Sequence, residues 1–314
     1  MAKRAGGATA ARVPLPVTIA WQGIRLQVPE SWFLNGFSGD WREGMLTISS
    51  TGKTHLDIKW VRTKARSDLQ FHLQRFLKRL ERDARKQRAR FTGTLEPDGK
   101  EGFRFRWNGV GQAVGRIQRC PECQCITLMQ LRTTARHEPL HTLASAIFET
   151  LCDHPDEQGW VEWSLYGLRT AVPNRFRLER HTILTGQTRL AFRAGRERLI
   201  VERIARAEQL LKDWSLHEWA QVWLRWEQLR GTPEPFELES DPALRLQGRL
   251  SWGHLIAESL PALLTLRLPA WRIRAAVWLC PKRNTLYHIL HQHSRKSKLL
   301  DEVMTRTVCH LPSG

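Results

Sequence analysis

Gly23-Ile24-Arg25-Leu26-Gln27-Val28-Pro29, followed by Trp32 and Leu34, returns as Gly167-Leu168-Arg169-Thr170-Ala171-Val172-Pro173, followed by Phe176 and Leu178, at a constant offset of 144 residues. Further along, Cys120-Pro121 before the strand-like Ile126-Thr127-Leu128-Met129 is answered by Cys280-Pro281 before Leu286-Tyr287-His288-Ile289. Cys152 near Pro155 is answered by Cys309 near Pro312. The chain therefore reads as a tandem pair of related domains, and its 314 residues suit two hydrophobic cores of ordinary size.

Within the first copy, apolar residues alternate with Arg25 and Gln27 from Ile24 to Val28, which predicts a strand ended by Pro29. Met45 to Ile48 and Leu56 to Val61 predict a hairpin turning through Thr51-Gly52-Lys53. A long helix follows, with Ser67 as the expected N-cap and Leu69, Leu73, Phe76, Leu77 and Leu80 on one face. Strands are expected at Gly102 to Trp107, Val114 to Gln118 and Ile126 to Thr133, and a closing helix near Leu140 to Leu151.

The second copy repeats this order. Its hairpin turns at Gly195, its long helix carries Leu216, Trp219, Ala220, Trp223 and Leu224, and its closing helix runs from Leu299 to Val308. The expected class is α+β, each domain an antiparallel sheet packed against a long central helix and a C-terminal helix. The boundaries read as a basic arm at 1–15, a first domain at 16–155 and a second at 156–314, parted at Asp156-Glu157-Gln158-Gly159.

The Gly-x-x-x-x-Val-Pro opening, an aromatic three residues beyond it at Trp32 or Phe176, and this order of elements resemble the PsbP-like fold. That fold is shared by the PsbP subunit of photosystem II and the Ran-binding nuclear-import factor. The resemblance spans roughly 18–152 and 163–309 and implies domains that mostly bind proteins. It transfers no functional residue.

Lys and Arg outnumber Asp and Glu by 49 to 31, for a net charge of +18, and both halves carry the excess. Such a field attracts polyanions: nucleic acid, an anionic membrane surface or an acidic protein face. No stretch is apolar over the 18 or more residues of a spanning helix. Met1 to Gly7 has the charge of a signal peptide, but Ala8 to Pro16 offers no continuous apolar core, so a cytoplasmic location is expected. In that reducing setting the six cysteines read as thiols or metal ligands.

Cys120-Pro121-Glu122-Cys123 has the spacing that lets two thiolates of one turn meet a tetrahedral zinc ion. The strand after it runs away for about 30 Å at roughly 3.3 Å per residue, and the closing helix returns for about 18 Å at roughly 1.5 Å per residue. Cys152-Asp153-His154 then needs only a few residues to reach the turn again. The expected site is a structural Cys3His zinc of Cys120, Cys123, Cys152 and His154, with Cys125 as a substitute. In the second copy Cys280 and Cys309 persist while Arg283 replaces Cys123, and His310 is the nearest counterpart of His154. That pair is expected to be an empty remnant.

On the first long helix, Arg75, Lys78, Arg79, Arg82 and Lys86 form a basic band suited to an anionic partner. A second basic cluster comprises His291, His293, Arg295, Lys296 and Lys298. Of the 14 tryptophans, Trp60, Trp107, Trp219 and Trp223 read as core. Trp21, Trp41, Trp160 and Trp163 read as edge contacts, and Trp41-Arg42 and Trp271-Arg272 as stacking sites for single-stranded nucleic acid. No P-loop, Gly-x-Gly-x-x-Gly, Gly-x-Ser-x-Gly or HExxH motif occurs. The resulting expectation is a non-catalytic binding or scaffold protein, an accessory subunit of a larger assembly that docks through its basic surface. Nucleic acid is the alternative partner, an enzyme the third reading, and no small-molecule substrate is indicated.

Overall fold

The computed structural model describes residues 13–64, 67–99, 101–135, 140–226, 229–238, 241–250, 272–294 and 297–309. Most of the expected basic arm, together with Trp271, Arg295, Lys296 and His310, lies outside the described residues. The chain divides into two compact units, one ending at His154 and the other beginning at Pro155.

The N-terminal unit opens with the hairpin β1 (Val17–Trp21) and β2 (Ile24–Val28). Its two turn residues, Gln22 and Gly23, both have positive φ, 52° and 79°, which matches the right-handed twist of the paired strands. A Cβ on Gly23 would lie 2.4 Å from the Trp41 ring, so the glycine of the repeated motif is needed for space as well as for its backbone. The C-terminal unit opens the same way, with β10 (Trp160–Leu165) and β11 (Leu168–Pro173) turning through Tyr166 and Gly167.

Each unit then builds a seven-stranded antiparallel sheet. In the N-terminal unit these strands are β3 (Phe33–Gly39), β4 (Glu43–Ser49), β5 (Thr54–Arg62), β6 (Thr92–Pro97), β7 (Gly102–Asn108), β8 (Gln112–Arg119) and β9 (Cys125–Thr133), in spatial order β3-β4-β5-β9-β8-β7-β6. The C-terminal unit has β12 (Arg177–Leu184), β13 (Gln187–Ala194), β14 (Glu197–Ala205), β15 (Leu229–Leu238), β16 (Asp241–Leu250), β17 (Arg272–Cys280) and β18 (Thr285–His293). Their order, β12-β13-β14-β18-β17-β16-β15, is the same one. Even the irregularities repeat, with a register shift at Leu34/Gly36 in β3 and at Leu178/Arg180 in β12.

The helices depart from the sequence reading. A long central helix packed against each sheet is expected, yet the protein is dominated by strands, and four of its five helices among the described residues span 11 residues or fewer. The longest, α1 (Leu69–Lys86), has 18 residues and lies against β7 and β8. Its apolar stripe, Leu69, Leu73 and Leu77, packs on Phe105 of β7, Ile117 of β8 and Ile126 of β9. The helix is capped by Asp68, not Ser67: the Asp68 carboxylate accepts the Phe71 N–H at 3.0 Å. Gly115 on β8 leaves room for the Phe105 ring, which a Cβ would meet at 2.0 Å.

The short helix α2 (Leu140–Glu149) covers β8 and β9 with Leu140, Ala144, Ile147 and Phe148. In the C-terminal unit α3 (Ala207–Leu210) is a single turn. After it, α4 (Leu216–Trp226) buries Trp219, Ala220, Trp223 and Leu224 against Ile200, Leu246, Ala275, Val277 and Leu286. Each large apolar side chain in such a layer contributes roughly 1.5–3 kcal/mol by leaving water. The chain closes with α5 (Leu299–Thr305), against β17 and β18. Trp21 and Trp163, read as edge contacts, are instead core residues, each 1% exposed. No helix of the described residues is long and apolar enough to cross a membrane.

Candidate metal centre

Four donor side chains of the N-terminal unit converge where the β8–β9 turn meets the exit of α2. The turn is set by the backbone. Cys120 donates its N–H to the Cys125 carbonyl at 2.8 Å, Gln124 donates to the Cys120 carbonyl at 3.1 Å, and Gln124 takes the left-handed conformation with φ 58°. This tight four-residue turn brings Cys123 back toward Cys120.

The chain leaving α2 is fixed just as firmly. Arg25 and Cys152 exchange two backbone hydrogen bonds of 2.8 Å each, tying the helix exit to β2. The Arg62 guanidinium donates to the Asp153 carbonyl at 2.9 Å and to the carbonyls of Gln22 and Trp41, and it stacks over the Trp41 ring at 4.0 Å. With its backbone held at both places, the segment presents the side chains of Asp153 and His154 to the turn.

The ligand atoms of Cys120, Cys123, Asp153 and His154 all lie within 4.8 Å of one another. His154 Nδ1 is 3.7 Å from Cys120 Sγ and 3.1 Å from Asp153 Oδ1, and Cys123 Sγ is 3.5 Å from Asp153 Oδ1. Donors bound at about 2.0–2.3 Å to one tetrahedral zinc stand roughly 3.3–3.8 Å apart, so small shifts suffice to seat an ion. Two thiols, a carboxylate and an imidazole form a donor set suited to zinc. Asp153 is buried, and its second oxygen, Oδ2, has no hydrogen-bond partner among the described residues. Outside the group, His154 Nε2 lies 3.2 Å from Glu122 Oε2, the carboxylate support that metal-binding imidazoles ordinarily have.

Both thiols are weakly acidic without a cation. Burial pushes Cys120 up to about 12, with the hydrogen bond and charge of Asp153 adding to the rise. Cys123 is raised by its hydrogen bond with Cys125, then by burial and by the Asp153 charge. An ion entering the group would displace these protons, which couples its binding to pH.

Of the ligands read from the sequence, the structure gathers Cys120, Cys123 and His154, and it puts Asp153 where Cys152 is expected. The Cys152 thiol points elsewhere, donating to the His154 carbonyl at 3.3 Å. Cys125 is fully buried at the start of β9, its thiol 3.9 Å from the Ile126 carbonyl and outside the group. The only signal for Asp153 in the sequence is its place between two expected ligands.

The basic band is set out along α1. Arg75, Lys78, Arg79, Arg82 and Lys86 are all exposed. Lys86 pairs with Asp83 at 3.4 Å, and Arg75 stacks on Phe71 at 5.7 Å. Lys78, Arg79 and Arg82 have no acidic partner among the described residues. The chain matches no protein-family model and no curated protein sequence.

Proposed function

We propose that the protein is a non-catalytic binding or scaffold protein built from two PsbP-like units, the first clamped by structural zinc, which docks through the basic face of α1 onto an anionic protein surface as a subunit of a larger assembly. The observation that carries this reading is the closed donor set of Cys120, Cys123, Asp153 and His154, joining a strand turn to a helix exit. Four protein donors leave no position for a substrate, so the ion would act by holding those segments together. Lys78, Arg79 and Arg82, exposed on one helical face and without an acidic partner among the described residues, would supply the docking charge.

Single-stranded nucleic acid is the second reading, and one observation favours it. Phe71 is 52% exposed beside Arg75, a base-stacking surface next to cations. Trp41 lends it no support, because its ring is covered by Arg62.

The test of the main reading is metal analysis of protein purified without added metal, combined with mass spectrometry of whatever copurifies from its native source. Zinc with an acidic protein partner is the expected result. Binding to an oligonucleotide that falls steeply with salt would favour the second reading. A fully folded chain that takes up no metal at the cysteine turn would overturn the clamp.

A further inference from the structure

The C-terminal unit repeats the geometry of the metal centre with a different set of donors. Its β17–β18 turn, like the β8–β9 turn, opens with a buried cysteine, Cys280, and ends on a left-handed residue, Asn284 with φ 48°. Arg283 takes the place of Cys123, so the turn itself offers one thiol.

The helix exit is displaced by one residue from what the cysteines alone suggest. After α2, Thr150 and Leu151 donate to Ile147 and Phe148, and Cys152 then donates to the Arg25 carbonyl. After α5, Arg306 and Thr307 donate to Val303 and Met304, and Val308 then donates to the Arg169 carbonyl at 3.0 Å. Arg169 is the repeat counterpart of Arg25, so Val308 occupies the position of Cys152, and Cys309 that of the donor Asp153. Cys309 is therefore a counterpart of a residue in the first donor group, not of the bystander Cys152.

The third donor comes from a neighbouring strand. β16 pairs with β17 through Ala243 and Trp278, and two residues further along each strand lie Asp241 and Cys280. The ligand atoms of Asp241, Cys280 and Cys309 all fall within 4.8 Å of one another. Neither cysteine is in a disulfide. Asp241 is only 8% exposed, and its carboxylate has no hydrogen-bond or ion-pair partner among the described residues. Buried carboxylates are paired or bind a metal, because an uncompensated one is costly to bury. Here the nearest chemistry is two thiols, which as thiolates add a further need for a cation.

We propose that Asp241, Cys280 and Cys309 hold a second zinc ion in the C-terminal unit, with the fourth coordination position left to a ligand outside this set. The pair of cysteines is thus a working remnant of the repeat, with Asp241 recruited to replace the thiol lost at Arg283. His310, which follows Cys309 as His154 follows Asp153, lies outside the described residues and is not assigned a role.

The test uses full-length protein, reduced, stripped with chelator and returned to zinc. About two ions per chain are expected for the wild type, and about one for Asp241→Asn and one for Cys123→Ser. Loss of the first site alone would lower the wild-type count to about one while leaving it sensitive to Asp241→Asn, so failure of the N-terminal clamp and failure of this site are told apart. Cys309→Asp, which restores the donor type found at Asp153, should keep about two. A second readout needs no substitution: zinc should slow alkylation of Cys280 and Cys309 in the wild type by at least about 10-fold, followed by peptide mass spectrometry. Equal alkylation rates with and without zinc, a Cys280–Cys309 disulfide in the reduced preparation, or an Asp241→Asn count equal to the wild type would each overturn the proposal.

Discussion

His154 Nε2 lies 3.2 Å from the Oε2 of Glu122, while its Nδ1 faces Cys120 and Asp153. Glu122 sits inside the cysteine turn, so the turn supplies two donors and also orients a third that comes from the helix exit. A carboxylate in this place fixes the imidazole tautomer and its ring orientation.

Glu122→Ala should therefore weaken zinc binding to the N-terminal unit by about 10- to 100-fold, measured by chelator competition. Glu122→Gln keeps an acceptor oxygen and should recover part of that loss. Affinity unchanged in both variants would show that His154 is not held this way.

The donor assignment makes an asymmetric prediction about two cysteines. Cys123→Ser removes a donor and should lower the melting temperature of zinc-loaded protein and reduce its zinc content. Cys152→Ser removes a thiol whose hydrogen bond among the described residues goes to the His154 carbonyl, and should cost about 1 kcal/mol or less with zinc content unchanged. Calorimetry and metal analysis on the two variants decide it, and equal losses would return Cys152 to the ligand set.

Much of this was open to sequence reasoning, and the failures have physical causes. Strands with one buried face, such as β2 and β5, declare themselves by alternation, and the repeated glycine marks a hairpin that needs two positive φ values. Edge strands do not. β6 is almost wholly exposed and holds a glycine and a proline, and β15 contains Pro233 and Pro235, both tolerable only where a strand edge has no partner to serve. At the metal centre, a CxxC turn is legible because its spacing is local. Asp153 and Asp241 are not, because their roles come from a backbone bridge and from strand register, and an isolated aspartate in sequence looks like any surface carboxylate.

The basic band offers a charge test. Arg79→Glu with Arg82→Glu should change the unfolding free energy by about 1 kcal/mol or less, since both side chains are exposed and make no ion pair among the described residues. Recovery of the native partner in pull-downs should fall by about 10-fold or more, chiefly through slower association. Unchanged recovery would move the docking surface off α1.

The C-terminal unit carries buried ionisable pairs, and these predict its response to acid. Burial alone would raise Glu202, but the hydrogen bond and charge of His288 at 2.8 Å, helped by Gln187 and Arg189, hold it at about 2, below its ordinary 4.5. The unfolded chain binds this proton first, so the stabilisation is complete above 4.5 and is lost as pH falls through about 2, amounting to roughly 3 kcal/mol. His291 acts in a higher window. Burial, and then the charge of His293, lowers it from 6.5 to about 4, against the opposing pull of Glu197 at 3.3 Å. It is neutral in the folded unit, and its contribution is complete above 6.5 and lost as pH falls through about 4. Melting of the C-terminal unit should therefore fall to lower temperature continuously from pH 6.5 toward pH 2. His291→Gln should flatten the upper part of that slope and Glu202→Gln the lower part, at the cost of removing the negative charge that His288 and Arg189 pair with near neutral pH. A His291→Gln variant whose melting temperature keeps the wild-type slope between pH 6.5 and 4 would mean that this histidine is not held neutral by the fold.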